Sequence, residues 1–577
     1  MDWRKAMSNG YDADVIVIGA GGGGAVVAKE LGEKGVKVLV LEAGPWYGNK
    51  KWPEPNGGPG AQSSSSRDDL DIGLLKKSFT DLEDDMNDMV SGKFRWGPGD
   101  RSKSPWPRIS REGGFVWQCA GVGGTTLTYF ANSPRAYPQA FEKEWPISYV
   151  EMIPYYEKVE STLPVHRAVG TSKEDLFYYG ARKMGWPLTD AKDVTEPGYR
   201  PQPNAILQVN PRLNDPDFDI QNNNAMGCTL RGHCVNGCNI GPTVDSVAKR
   251  STLVSYIPLA LSTGNVEIRP NTFVTRIHTE EGGEGLYASG VTCRNTWTGE
   301  ITELRAKVIV MSGGSIETPR LWLNSGLPEN EWVGKGLTNH LIDCVSGIFD
   351  EADLMSVLGM SDVKPYVGQN SAARFDYPGL GAFEPFGLSP GIYSTMIYGI
   401  SQKGYYFQNE TSGEEPWDIE GMVVGELLKE FMMNYSRTLS IIIFSDDEVS
   451  QNNGVTLDPE RKDENGYIPV ISYQISKRDA AKRDQLARYA GELLRKAGAK
   501  TVTRANWPPN VWAHIMSTMR IGYVTDTDCE AKQVKRLFIA DNSVLGNGLG
   551  GPNPTLTNQA LAVRTSEKIM AKYFGGM

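Results

Sequence analysis

The stretch from Asp14 to Glu42 constrains this chain more than any other. Apolar, β-branched Val15-Ile16-Val17-Ile18 runs into Gly19-Ala20-Gly21-Gly22-Gly23-Gly24, then the helix-forming Ala25–Leu31, then a second apolar run, Val36–Leu41, closed by Glu42. Strand, glycine turn, helix and parallel strand in that spacing predict a βαβ unit. Its glycines have separate duties. Gly19 permits the tight turn, Gly21 lets backbone approach a pyrophosphate, and Gly24 lets the helix pack on the strand while its first N–H groups face the phosphates. Glu42, ending the second strand, is placed to accept a ribose hydroxyl, which favours an unphosphorylated ribose.

At 577 residues the chain exceeds the size at which one hydrophobic core stops growing, so two or more domains are expected. A net charge of −10 offers no basic face for a nucleic-acid backbone, and nucleic acid is excluded as an expected partner. No segment approaches the roughly 20 apolar residues needed to span a bilayer. Met1–Tyr11 has no apolar stretch of the secretory kind, so the expectation is a cytoplasmic protein, with export beside a signal-bearing partner left open. Seven cysteines, an odd number, fit a reducing compartment better than a disulfide framework.

From Tyr47 to about Pro107 the composition turns to Pro, Gly, Ser and charge, which predicts a loop or lid, with the run Ser63–Ser66 as mobile surface. A second glycine cluster, Cys119–Thr126, carries Gly121, Gly123 and Gly124 followed by hydroxyls, another place where backbone comes close to something flat or phosphorylated. Asn265–Arg269 and Thr272–His278 read as two strands of a hairpin, and Ala306–Met311 as a buried strand entering the Ser312–Pro319 turn and a helix at Arg320. Between 345 and 505, strand candidates such as Leu439–Phe444 and an amphipathic helix near Arg478–Ala497 suggest a separate antiparallel domain. The C-terminal part holds His514 and then Gly550–Asn558, which runs into a final helix, Gln559–Tyr573, with Asn553 and Pro554 at its start.

Together these pieces resemble the glucose–methanol–choline (GMC) family of FAD-dependent oxidoreductases. The resemblance implies an α/β fold: a Rossmann-like FAD-binding domain with an interleaved α+β substrate domain built on an antiparallel sheet. The FAD domain would comprise residues 1–165, 225–344 and 506–577, and the substrate domain residues 166–224 and 345–505. Gly19, Gly21, Gly24 and Glu42 then match the FAD-binding turn and ribose acid. Gly123, Gly124 and Thr125 match the motif packed on the flavin, Asp541 the acid at the FAD linker, and Val274 the residue meeting adenine through its backbone. Pro554 and Thr555 fall beside the flavin ring, where a helix N-terminus stabilises negative charge. His514 matches the catalytic base and Asn553 its partner across the substrate, whereas His340, His166, His233 and His278 are expected to be structural. The chain departs from the pattern at Thr128, where members with covalent flavin carry His, so the FAD is expected to be noncovalent. It also departs at Tyr129, at Pro328 for Gly and at Ser517 for Gly.

A neutral imidazole can take the proton of an alcohol while its carbon-bound hydrogen leaves as hydride, so the expected activity is oxidation of an alcohol, preferably on a sugar or glycoside. Electrons would pass to a carrier such as a small subunit or cytochrome. Alternatives are an oxidase using dioxygen, a flavin-containing lyase that takes no hydride, and a non-catalytic flavin-binding subunit. The aromatics Tyr366, Phe375, Phe383, Phe386, Tyr393 and Tyr398 are candidates to stack on a sugar face, or simply core.

Cys228, Cys234 and Cys238 have the spacing C-x5-C-x3-C in a glycine-rich loop. Three ligands suit a [3Fe-4S] cluster, and the spacing is similar to that of bacterial membrane-linked FAD-dependent sugar dehydrogenases, though Asn239 stands where Pro is usual there. The other readings are a local disulfide, unligated thiols, or a zinc site completed by His233. Cys119, Cys293, Cys344 and Cys529 show no grouping and read as buried small hydrophobes.

Overall fold

A computed structural model of the chain describes residues 10–51, 63–76, 111, 115–219, 225–232, 234–235, 238, 241–283, 285–391, 393–394, 409–410, 413–421, 423–505 and 511–575. Strand β1, Ala13–Ile18, lies between two parallel neighbours, β2 (Val38–Leu41) and the strand Ile301–Met311, with Val15 opposite both Val38 and Val308. All but one residue of β1 is buried, as a parallel strand covered on both faces requires. Helix α1, Gly22–Glu33, makes the crossover. Val266–Arg269 adds parallel to β2, and Leu537–Ile539 adds parallel to Ile301–Met311. The spatial order therefore reverses between β1 and Ile301–Met311. Ligand crevices in open α/β sheets lie beyond the carboxyl ends of the strands at such a reversal, and Gly19, Glu42, Ser312 and Ala540 each follow directly on one of these strands.

The expected hairpin between 265 and 278 is not formed. Val266–Arg269 pairs with β2, while Thr272–Gly282 pairs antiparallel with Gly285–Asn295. Pro270 and Asn271, the latter at φ +53°, turn the chain out of one sheet ladder and into another. The Ser63–Ser66 run also differs from expectation. Ser64 is buried and exchanges two backbone hydrogen bonds with Ile268, extending the sheet edge rather than forming loose surface. The rest of the lid prediction, 52–62 and 77–107, lies outside the described residues.

A second, largely antiparallel sheet runs in the order 409–410, 419–420, Thr501–Ala505, Leu341–Ile348, Thr438–Ser445, Gly381–Phe386, Ala373–Tyr377 and Gly198–Pro201. The helix expected near Arg478–Ala497 spans Lys477–Ala497, capped by the Ser476 hydroxyl and by Gly498 at φ +107°. It packs on this sheet beside the helix Ser172–Lys183. Alternation along the strands divides the side chains. Phe375, Phe383, Ile441 and Ile443 enter the core beneath these helices. Ile342, Ile442 and Phe444 join the core shared with the first sheet, and Arg374 and Glu384 are sealed beside them with no exposure.

Among the candidate sugar-stacking aromatics, Phe375 stacks on Trp186 at 4.1 Å and on Phe383 at 4.8 Å, inside the core. Phe386 and Tyr393 are likewise buried, and Tyr366 lies on the surface. None of these five lines the cavity described below, and Tyr398 lies outside the described residues. No helix among the described residues is long and apolar enough to cross a membrane. All seven cysteines are buried free thiols.

Candidate active site

One cavity joins the glycine turn of the first sheet to the face of the second. Gly19, Gly21 and Glu42 line it, with Gly124, Thr125, Val274, Asp541, Pro554, Thr555, His514 and Asn553. Gly24 and Gly123 do not, and each has a packing role instead. A Cβ on Gly24 would lie 2.0 Å from the Gly19 carbonyl oxygen, and one on Gly123 would lie 2.8 Å from the Leu127 side chain. Gly21 is different: a Cβ there would meet nothing nearer than Gly124 Cα at 3.8 Å, so its backbone is bare toward the cavity.

The two glycine motifs interlock. Gly123 N–H donates to the Ala20 carbonyl at 2.9 Å, and Gly124 approaches Gly21 so closely that a Cβ on it would come within 2.7 Å of Gly21 Cα. Glu42 ties both together: Oε2 accepts from Ala20 N–H at 2.8 Å, and Oε1 from Gly44 at 2.9 Å and Gly121 at 3.0 Å. Burial raises its pKa while these N–H groups pull it back. With one donor on Oε2, a lone pair there is left for a ribose hydroxyl. Asp541 accepts from Gly314 N–H at 2.9 Å and Thr318 Oγ1 at 2.5 Å through Oδ2, and from Ser543 N–H at 2.7 Å through Oδ1, fixing the turn before the helix Gly314–Asn324. A bare glycine turn at a strand reversal, a buried acid ending the second strand and a helix N-terminus at Thr555 fit an adenine dinucleotide that carries a flavin.

His514 stands on the cavity wall with Phe444 at 4.9 Å between ring centres. Its Nδ1 lies 2.9 Å from His340 Nδ1, and His340 Nε2 lies 2.7 Å from the Gly548 carbonyl oxygen. A carbonyl only accepts, so His340 Nε2 carries a proton; burial pushes His340 down to about 4, so it is neutral and its Nδ1 is an acceptor. His514 Nδ1 must then be the donor. This leaves His514 Nε2 unprotonated, an acceptor for the Asn553 amide N–H at 3.5 Å. Burial, then His340, then Arg374, hold the His514 pKa well below 6.5. Ser517, three residues on, adopts φ +72°, the left-handed conformation that explains why Gly is usual there, and its hydroxyl bonds Thr338 Oγ1 at 3.0 Å.

Asn553 is oriented from behind. Its Oδ1 accepts from Arg374 Nη1 at 3.3 Å, turning the amide NH2 toward His514. Arg374, fully buried, also pairs with Asp376 at 2.7 Å and Glu384 at 3.2 Å. Sequence reasoning placed His340 among the structural histidines and missed Arg374, Glu384 and Phe444, which are far from His514 and Asn553 in the chain.

Thr128 lines the cavity, its hydroxyl 3.2 Å from Cys119 Sγ, and Tyr129 donates to the Arg250 carbonyl at 2.9 Å. Behind them Lys249 is fully buried, donates to the Leu127 carbonyl at 2.7 Å and is pushed down to about 8 by burial. Cys228 and Cys234 are raised by burial and by neighbouring thiols, Cys234 to about 11, so both are protonated at neutral pH. The three cysteines are neighbours, yet no group of three His, Cys, Asp or Glu side chains that could hold a metal ion occurs among the described residues. The expected [3Fe-4S] cluster therefore finds no support in this arrangement. His233 of the zinc reading lies outside the described residues. His166 and His278 make local bonds to the Pro164 carbonyl and the Thr292 hydroxyl, away from the cavity.

Comparison with known proteins agrees with this architecture. The N-terminal GMC oxidoreductase family model matches residues 215–342, and the C-terminal one residues 449–562. The chain is 27% identical to 2-methyl-1,2-propanediol dehydrogenase of Mycolicibacterium austroafricanum, over 97% of this chain and 95% of that one. It is 23% identical to the fructose dehydrogenase large subunit of Gluconobacter japonicus, over 97% and 98%. Pyridoxine 4-oxidase from Mesorbium loti shares the fold at a TM-score of 0.59 and 14% identity, covering 97% of this chain and all of that one. With both family models in place and flavin-site architecture at both ends, the chain belongs to the GMC oxidoreductase family.

Proposed function

We infer that the protein is an FAD-dependent dehydrogenase oxidising an alcohol, with His514 as base. The observation that carries this reading is the pair facing the cavity: an unprotonated His514 Nε2 beside the Asn553 amide NH2. A hydroxyl needs one acceptor for its proton and one donor for its oxygen, and this pair offers both. Bound FAD, held noncovalently by the glycine turn, Glu42 and Val274, supplies the acceptor for the hydride. The O–H bond breaks toward His514 Nε2, the carbon gives up its hydrogen with the electron pair, and the carbonyl forms. Asn553 holds the oxygen in line throughout.

A sugar or glycoside substrate is one version of this reading. Phe130, Ile342, Ile442 and Phe444 line the same cavity as His514, and their apolar character favours an alcohol with a hydrocarbon body over a sugar ring. The 2-methyl-1,2-propanediol dehydrogenase relative agrees with that choice. The fructose dehydrogenase relative is a large subunit, which favours a partner subunit or cytochrome as electron carrier here.

Anaerobic mixing of the FAD-loaded protein with an alcohol panel tests the reading. Bleaching of the flavin is expected, and a flavin left oxidised while product forms would assign a lyase. Hydrogen peroxide appearing in air at the rate of substrate turnover would assign an oxidase instead.

A further inference from the structure

His340 meets His514 because two short stretches of chain pair. Thr338–Asn339 and Ile515–Met516 form an antiparallel ladder, with Asn339 opposite Ile515. Continuing that register by one residue puts His340 opposite His514, where their Nδ1 atoms come to 2.9 Å. Each strand of the ladder is only two residues long, and a slip of one residue would turn the two rings to different faces. So short a ladder needs support from outside itself.

Asp447 stands at its end. It lies two residues beyond the strand Thr438–Ser445, whose Phe444 packs against His514, and it is 4% exposed. Its Oδ2 accepts from the N–H of Asn339, the residue just before His340, at 2.8 Å. The same oxygen accepts from the Tyr473 hydroxyl. The Tyr473 ring meets Trp512, two residues before His514, edge-on at 4.8 Å, and both rings share a small core with Leu337, Leu341 and Ile515. Asp447 also borders the far anchor of His340. A Cβ on Gly548, whose carbonyl accepts from His340 Nε2, would lie 3.2 Å from Asp447 Oδ1 and 2.6 Å from Asp446 Oδ1. One side chain thus reaches the backbone beside His340, the residue that anchors its far nitrogen and, through Tyr473, the segment that carries His514.

We propose that Asp447 is a positioning residue of the reaction, fixing the register in which His340 meets His514. This rests on the reading of His514 as base and deepens it. Two bonds accepted by one oxygen suffice for the task, and a charge is not needed. Burial raises the Asp447 carboxyl well above the ordinary carboxylate range against the pull of Tyr473 and Asn339, and Asp446 and Asp479 add to the rise. The carboxyl is thereby held toward its uncharged form, while Asp446, on the other side of Gly548, faces Lys482 at 3.6 Å. An uncharged acid beside this loop does not draw a proton onto His340, which must stay neutral to accept from His514. Asparagine, uncharged and with an oxygen in the same place, should therefore replace Asp447, and alanine should not.

The experiment uses the FAD-loaded protein with two readouts: 15N NMR of the histidine rings, and anaerobic flavin reduction by 1-butanol, 2-butanol and benzyl alcohol. The wild type should hold His514 in the Nδ1–H tautomer. Asp447→Ala should show a mixture and a limiting reduction rate lower by about a hundredfold, the cost of displacing a reacting group by about 1 Å, with FAD content and half-saturating alcohol concentration little changed. Asp447→Asn should restore the single tautomer and most of the rate. Tyr473→Phe keeps the ring on Trp512, removes only the hydroxyl and should slow reduction by about tenfold, the worth of one buried hydrogen bond. The wild-type tautomer and limiting rate in Asp447→Ala, or in Tyr473→Phe should the alanine variant not fold, would overturn the proposal. An asparagine variant no better than alanine would overturn it too. A wild-type flavin that no alcohol reduces would overturn the reading of His514 as base, and the NMR comparison would still decide whether Asp447 sets the meeting of the two rings.

Discussion

His340 and His514 face each other through their Nδ1 atoms, 2.9 Å apart, with His340 anchored at its far nitrogen to the Gly548 carbonyl. Only one arrangement of protons satisfies that chain, and it leaves the lone pair of His514 on the nitrogen that meets Asn553. His340 is a positioning residue acting through His514. Its replacement should leave FAD content intact and lower the anaerobic rate of flavin reduction by about a hundredfold, the range that loss of a correctly protonated base produces. His340→Leu is the variant of choice. His340→Asn, whose side-chain oxygen can still accept from His514, should recover part of the loss, and 15N NMR should find His514 in the Nδ1–H tautomer in the wild type and a mixture in the leucine variant.

The same burial sets the pH dependence. The base form of His514 is the neutral one, and its pKa is held well below 6.5. The acid limb of the flavin-reduction rate should therefore fall below pH 6.5, with a plateau through neutrality. An acid limb centred at or above 6.5 would exclude His514 as the base. Stability follows the same sign. The unfolded chain protonates these histidines near 6.5, while folded His340 stays neutral down to about 4, so the unfolded state takes up protons first and stability declines as pH falls through that window. The decline should be shallower in His340→Leu, measured by thermal melts between pH 7 and pH 4.

Much of this was legible in the sequence where the cause is local. Gly19, Gly21 and Glu42 announce themselves because strand, turn and acid follow each other within thirty residues. The C-terminal helix was placed by Asn553 and Pro554 at its start. The hairpin assignment at 265–278 failed because alternation identifies a strand but not its partner, and the partner of Val266–Arg269 lies more than 200 residues away in β2. Ser63–Ser66 looked like surface by composition, whereas a buried backbone exchange with Ile268 holds it. The protonation of His514 and the orientation of Asn553 are set by contacts across 174 and 179 residues, and no local pattern encodes them.

The glycine turn separates ligand binding from folding. A Cβ at Gly23 would lie 1.6 Å from the Ala540 carbonyl oxygen, whereas one at Gly21 meets nothing inside 3.8 Å. Gly23→Ala should therefore lower the melting temperature of the apoprotein or prevent its folding. Gly21→Ala should fold with near-normal stability and bind FAD about tenfold more weakly, a loss of about 1.4 kcal/mol, by crowding the backbone face left bare for the phosphates. Thermal melts of apoprotein and fluorescence titration with FAD distinguish the two.

Arg374 joins stability to catalysis. It is fully buried against Asp376 and Glu384 while its Nη1 holds the Asn553 oxygen. Removing one partner of a buried pair leaves the others' charge uncompensated, which costs about 3–5 kcal/mol. Arg200, 2.7 Å from Asp376, still compensates that carboxylate, so the exposed liability in Arg374→Leu is Glu384. The variant should unfold at lower denaturant, and its Asn553 amide, no longer held from behind, should turn freely and slow flavin reduction. Arg374→Lys restores the charge without the planar fork that reaches Asp376, Glu384 and Asn553 together. It should therefore regain stability and leave flavin reduction slow; a lysine variant with full reduction rate would show that charge alone, and not the orientation of Asn553, is what Arg374 supplies.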